Sequence, residues 1–140
     1  MEFLPVCLRL TGTPVLLVGG GNVATRKARL LLRAGAGLTV VAPTITAELQ
    51  ALLAENTGVW QQREYREADL HGRTLVVAAT PDKTVNEQVF RDAVRQSIQV
   101  NVVDAPELCT FIFPSIVDRD TLLIAITSSG RSPVLARIMR

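Results

Sequence analysis

Over the first hundred residues, short unbroken apolar runs alternate with longer stretches in which apolar positions recur at helical spacing. Residues 14–19, PVLLVG, form a continuous apolar run of strand length ending in glycines, as expected of a strand buried on both faces. In the following GGNVATRKARLLLRAGA, Ala24, Ala28, Leu31 and Leu32 recur at helical spacing with bases on the other face. Gly35 and Gly37 end that helix. Residues 38–42, LTVVA, predict a second buried strand, and residues 44–56 a second helix capped by Thr44 or Thr46. Residues 59–62 predict a weaker third strand, 74–79 a strong fourth, and 98–103 a fifth. Between the last two, Asp82 caps a helix running to about Gln96.

This alternation predicts an α/β fold, a Rossmann-like parallel sheet with helices on both faces. After Asp104 the pattern changes. Residues 111–117 and 121–127 are β-rich runs joined by Asp118-Arg119-Asp120, which predicts a C-terminal β-hairpin added to the sheet. Ser132-Pro133 then reads as the start of a further helix, with Ser as N-cap and Pro at the first helical position. The sequence ends at Arg140, inside that helix, so the expectation is a fragment of a longer protein.

Composition narrows the class. With 140 residues, 48% hydrophobic and 20% charged, the chain suits one globular domain. No apolar run reaches the roughly 18–20 residues that span a bilayer. The start, MEFLPVCLRL, lacks the form of a secretory signal, so a cytoplasmic protein with no membrane partner is expected. Cys7 and Cys109 lie in no CxxC or Cys/His cluster and read as free thiols in or near the core; His71 is the one histidine. No metal site is expected. Residues 1–40 hold five bases (Arg9, Arg26, Lys27, Arg29, Arg33) against Glu2, a balance of +4, and residues 41–140 hold ten bases against twelve acids, a balance of −2. The bases from 26 to 33 read as a solvated helix face, or as a field that draws in a polyanionic ligand. The excess is too small, and lacks interleaved aromatics, for nucleic-acid binding.

Three clusters carry candidate chemistry. Gly19-Gly20-Gly21-Asn22-Val23-Ala24 matches G-x-G-x-x-A between a buried strand and a helix. There Gly19 permits the turn, Gly21 lets a pyrophosphate approach the backbone, Ala24 lets the helix pack closely, and the helix N-terminus faces the phosphates. This predicts a dinucleotide cofactor. The acid usual at the end of the second strand is missing, since that strand ends Val41-Ala42-Pro43-Thr44. Thr44 offers a weaker hydrogen bond, no arginine adjoins for a 2′-phosphate, and the balance leans to NAD. The second cluster is acidic. Asp82 reads as a helix cap, whereas Asp104, directly after the fifth strand in NVVDAPE, reads either as a turn-former or as a general base. The third, Ser128-Ser129-Gly130-Arg131-Ser132-Pro133, either caps and turns the chain or holds a carboxylate or phosphate through backbone N–H groups.

Taken together, VGGGNVATRKARLLLRAGA, AATPDKTVN, NVVDAPE, FIFPSIVDR and SSGRSPVLAR resemble the N-terminal domain of sirohaem synthase, the precorrin-2 dehydrogenase/sirohydrochlorin ferrochelatase family. The resemblance runs in unbroken order over nearly the whole chain. It implies two reactions: NAD-dependent removal of two hydrogens from precorrin-2 to give sirohydrochlorin, then insertion of Fe²⁺, a substrate, to give sirohaem. It implies that Asp104 serves both, as base for the departing proton and later as acceptor of pyrrole protons or guide for iron. It implies cofactor contacts at Asn22, Val23, Pro43 and Thr44, beside Gly19 and Gly21 of the glycine loop, and Thr80 is expected to join them. The substrate is a tetrapyrrole polycarboxylate, which gives Ser128, Ser129 and Gly130 a binding task. Residues 1–113 would form the NAD-binding domain, and residues 114–140 the truncated start of a dimerisation and substrate region, the full-length protein being a homodimer. Two other readings stand beside this one: an NAD(H)-sensing regulatory domain without catalysis, which would not need Asp104, and a cobalt-inserting or non-chelating relative.

Overall fold

A computed structural model of the chain describes residues 1–129 and residue 138. In chain order the elements are β1 (Pro14–Val18), α1 (Asn22–Arg33), β2 (Gly37–Val41), α2 (Ala47–Glu55), β3 (Val59–Gln61), β4 (Leu75–Ala78), α3 (Lys83–Arg95), β5 (Gln99–Val102), β6 (Ser115–Arg119) and β7 (Leu122–Ile126). Short 3₁₀ turns lie at Glu67–Leu70 and Pro106–Leu108. The chain divides into two compact units, one of residues 7–110, the other joining residues 1–6 to residues 111–140.

In the first unit, β1 to β5 form a parallel sheet in the order β3-β2-β1-β4-β5. The apolar runs become its central strands because a parallel strand is covered on both faces. Val15, Leu16 and Leu17 of β1 and Val76, Val77 and Ala78 of β4 have no exposed surface. Each such valine or leucine contributes roughly 1.5–3 kcal/mol by leaving water.

The crossovers β1-α1-β2 and β4-α3-β5 leave the sheet centre in opposite directions. Right-handed connection therefore puts α1 and α3 on opposite faces. On the α3 face, Leu16, Val18, Val76, Ala78, Val100 and Val102 pack with Val89 and Ala93. The alternate strand residues Val15, Leu17, Val77 and Asn101 point to the face that α1 covers with Ala24, Ala28 and Leu31.

Three expectations need correction. The hairpin is not an addition to the parallel sheet: β6 and β7 pair antiparallel as a sheet of their own. The outer edge of β5 is taken by its own chain, with Cys109 bridging Asn101 and Thr110 N–H donating to Val100 O at 2.8 Å. Strand β6 starts at Ser115, not at 111, because Pro114 has no N–H for a ladder. Cys7 is exposed, outside the core, while Cys109 is half-buried. The hairpin turns at Asp120-Thr121, where Asp120 takes a left-handed φ of 51°, a conformation that acidic residues tolerate. The predicted helix at Ser132-Pro133 lies outside the described residues. No helix among the described residues is long and apolar enough to cross a membrane.

Candidate functional site

Because the five strands are parallel, their carboxyl ends share one edge. The crossovers diverge between the neighbours β1 and β4, and such a switch point is where open α/β sheets bind ligands. The chain leaves β1 there as Gly19-Gly20-Gly21. Gly19 has φ +125°, and a Cβ on it would collide with the carbonyl of Ala79 beyond β4. The glycine is therefore required twice, by its backbone and by the close approach of two strand ends.

Gly20 has a role that the G-x-G-x-x-A pattern did not reveal. A Cβ there would strike the Thr44 carbonyl oxygen and Ile45. Its own carbonyl accepts from Thr46 N–H at 3.0 Å. Gly20 thus seats the glycine loop against the β2–α2 loop, which carries the exposed Pro43 and Thr44. Gly21 is different: the space a Cβ would fill is empty, and the residue is exposed.

The starts of α1, α2 and α3 differ in their capping. Thr46 caps α2, its hydroxyl accepting from Leu49 N–H at 3.0 Å. Asp82 caps α3 as expected, accepting from Thr84 N–H at 2.9 Å. Helix α1 begins at Gly21 with no side-chain cap and no acid in its first turn. The N–H groups of Asn22 and Val23 lie in that first turn, where an anion complements the helix dipole. An open face at Gly21 beside an uncapped helix start fits a dinucleotide pyrophosphate. At the end of β2, Ala42 is buried and its carbonyl accepts from Trp60 Nε1 at 3.0 Å. No acid stands there.

Thr80 lies two residues past β4, at the same edge. Its hydroxyl donates to Asn86 Oδ1 at 2.7 Å, and Asn86 Nδ2 donates to Thr80 O at 3.0 Å. Asn86, in the second turn of α3, was not singled out in the sequence; an asparagine four residues after a helix cap carries no pattern of its own.

Strand β5 ends at Val102, so Asp104 stands two residues beyond it, not directly after. It is exposed and has φ +61°. It is a turn-former by conformation, and it stands at the same carboxyl edge of the sheet as the glycine loop. The turn is braced by Cys109, whose thiol donates to Val102 O at 3.2 Å and to Ala105 O at 3.3 Å, one carbonyl on each side of Asp104. Burial pushes the Cys109 thiol above its ordinary pKa and keeps it a donor.

The basic helix is not uniformly a solvated face. Arg26, Arg29 and Arg33 are exposed, with Arg29 paired to Glu48. Lys27 is half-buried. It lies three residues after Ala24 and four before Leu31, on the buried stripe of α1. Burial lowers its pKa from the usual lysine range, and the charge of Asp104 opposes that shift. Its spacing on the stripe was the available signal.

Ser128 and Ser129 belong to the second unit. Ser129 has φ 55°, and its N–H donates to Thr127 Oγ1 at 3.1 Å. Gly130 lies outside the described residues.

Residues 6–115 match the family described as "Putative NAD(P)-binding". Over all 140 residues the chain is 55% identical to sirohaem synthase of Pseudomonas fluorescens strain SBW25, and it spans 30% of that protein's length. It superposes on the solved structure of SirC, a precorrin-2 dehydrogenase, with a TM-score of 0.84 at 33% identity, covering 98% of this chain and 67% of that one. The apo-structure of D-lactate dehydrogenase from Escherichia coli matches with a TM-score of 0.52 at 13% identity, over 68% of this chain and 29% of that one, which shows the fold alone. The Rossmann-like fold, the uncapped glycine loop and these matches agree: the chain belongs to the family of the sirohaem synthase N-terminal domain.

Proposed function

We propose that this chain carries an NAD-dependent precorrin-2 dehydrogenase site, and that the same site afterwards takes Fe²⁺ into sirohydrochlorin to give sirohaem. One observation supports the reading most: the exposed carboxylate of Asp104 lies beyond β5 at the sheet edge that carries the glycine loop.

Gly19, Gly21, Asn22 and Val23 would hold the cofactor's pyrophosphate, while Pro43, Thr44 and Thr80 would line the rest of it. Bound NAD supplies the two-electron acceptor. Precorrin-2 loses a hydride and a proton overall, and the Asp104 carboxylate takes the proton. In metal insertion two pyrrole N–H protons leave as Fe²⁺ enters, and the same carboxylate accepts them in turn and passes them to water. Its left-handed turn, braced by the Cys109 thiol, fixes the position of the base.

The substrate's carboxylates would meet Ser128, Ser129 and Gly130, drawn in by the +4 balance of residues 1–40. The second unit would join two copies of the full-length protein, in keeping with Leu122, Leu123 and Ile124 standing exposed on its hairpin. A cytoplasmic setting suits this chemistry.

The test is an anaerobic assay of the full chain with precorrin-2 and NAD, following NADH. Precorrin-2-dependent NADH formation is expected. Saturable NAD binding without turnover would overturn the proposal in favour of a sensing domain.

A further inference from the structure

We infer that Lys27 is a positioning residue for the general base, its ammonium standing over the Asp104 turn from the core-facing stripe of α1. The inference rests on the reading of Asp104 as the base. Three features of the first unit carry it.

The first is the register of α1. A lysine on a solvated face would keep step with Arg26, Arg29 and Arg33, all exposed. Lys27 keeps step with Ala24 and Leu31, which are buried. A half-buried ammonium is costly unless negative or polar groups face it. Helix α1 has no acid in its first turn, and Arg26 adds a like charge.

The second is the sheet face beneath. Val15, Leu17 and Val77 are apolar and fully buried there, and the next position in register, opposite Val77, is Asn101. Asn101 is also buried, and its neighbour across the edge is Cys109. The polar character of this face is thus concentrated on β5 and the turn that follows it. The negative group acting on the charge of Lys27 from that side is Asp104.

The third is the Asp104 turn itself. The backbone on either side of Asp104 is held by Cys109, but the carboxylate is exposed. A fixed cation beside it restricts where the carboxylate points without taking its proton-accepting role. The ammonium also offsets the repulsion between Asp104 and a polycarboxylate substrate.

The test compares wild type, Lys27→Met and Lys27→Arg in the full chain. Lys27→Met is expected to lower kcat for NADH formation by about tenfold or more, since a displaced catalytic group is costly. NAD affinity should be unchanged, and Lys27→Arg should restore most of the rate. A Lys27→Met protein with wild-type kcat, or one that loses NAD affinity in parallel, overturns the inference. A second readout needs no turnover. With isotope-labelled lysine, the Lys27 signal (assigned by its loss in Lys27→Arg) should titrate at lower pH in Asp104→Asn than in wild type. An unchanged titration overturns the pairing. Absence of precorrin-2 turnover in wild type would instead contradict the proposed function, while the lysine titration still decides the pairing.

Discussion

Asn86 holds Thr80 at three points, accepting from its hydroxyl at 2.7 Å and from its N–H at 3.4 Å and donating to its carbonyl at 3.0 Å. The asparagine is 8% exposed, so none of these bonds is easily replaced by water. Thr80 sits at the mouth of the switch point, and its loop is tied to α3 through this side chain and to the cap residue Asp82. Asn86→Ala removes three hydrogen bonds, each worth about 1 kcal/mol. The expected result is NAD binding weakened by about tenfold, measured calorimetrically, with kcat changed far less. Unchanged affinity would mean that Thr80 does not need this support.

Gly20→Ala places a methyl group against the Thr44 carbonyl. Overpacking against backbone typically costs about 1–3 kcal/mol, and here it separates the glycine loop from the loop carrying Pro43 and Thr44. A lower Tm together with weaker NAD binding is expected. Gly21→Ala meets no atom within 4 Å. It should leave Tm close to wild type and weaken only the cofactor. Equal Tm values for the two variants would contradict this division of roles.

A buried carboxylate ties α3 to the segment before β4. Asp92 is 1% exposed and accepts from Tyr65 OH at 2.9 Å, Gln88 Nε2 at 2.7 Å and Arg95 NH2 at 2.7 Å. Asp92→Ala leaves the half-buried Tyr65 hydroxyl without its acceptor and should destabilise by about 1–3 kcal/mol. Burial, then the neighbouring Asp92, Asp69 and Glu67, push the Tyr65 phenol far above its ordinary value. Above about pH 10 the unfolded chain ionises this tyrosine while the native chain keeps it protonated. The stability Tyr65 contributes is full below that pH and falls as pH rises beyond it. Urea unfolding on both sides of pH 10 should show the decline in wild type and a shallower one in Tyr65→Phe.

The parts of the fold that were legible in the sequence are those where one periodicity acts alone. Apolar runs such as residues 14–19 can only be covered strands, and Asp82 and Thr46 cap helices whose spacing was plain. The glycine loop was legible because strand, glycines and helix follow one another locally. What escaped depends on contacts between distant segments. The hairpin's separation follows from Cys109 and Thr110 taking the edge of β5, and no local pattern announces an occupied edge. Gly20 was hidden behind its two neighbours because its constraint comes from Thr44, more than twenty residues away. Lys27 was grouped with the arginines by charge, although its position relative to Ala24 and Leu31 already put it on the buried stripe.

Whether Asp104 is the base of an NAD-dependent dehydrogenase, as proposed, is decided by Asp104→Asn. Asparagine tolerates the φ of +61° and has nearly the same shape, so the turn survives and only the charge is lost. The measurement is anaerobic NADH formation from precorrin-2, with NAD affinity determined in parallel on wild type and variant. Turnover is expected in wild type, with a loss of at least about a hundredfold in Asp104→Asn and equal NAD affinity. Asp104→Asn with wild-type turnover would contradict it.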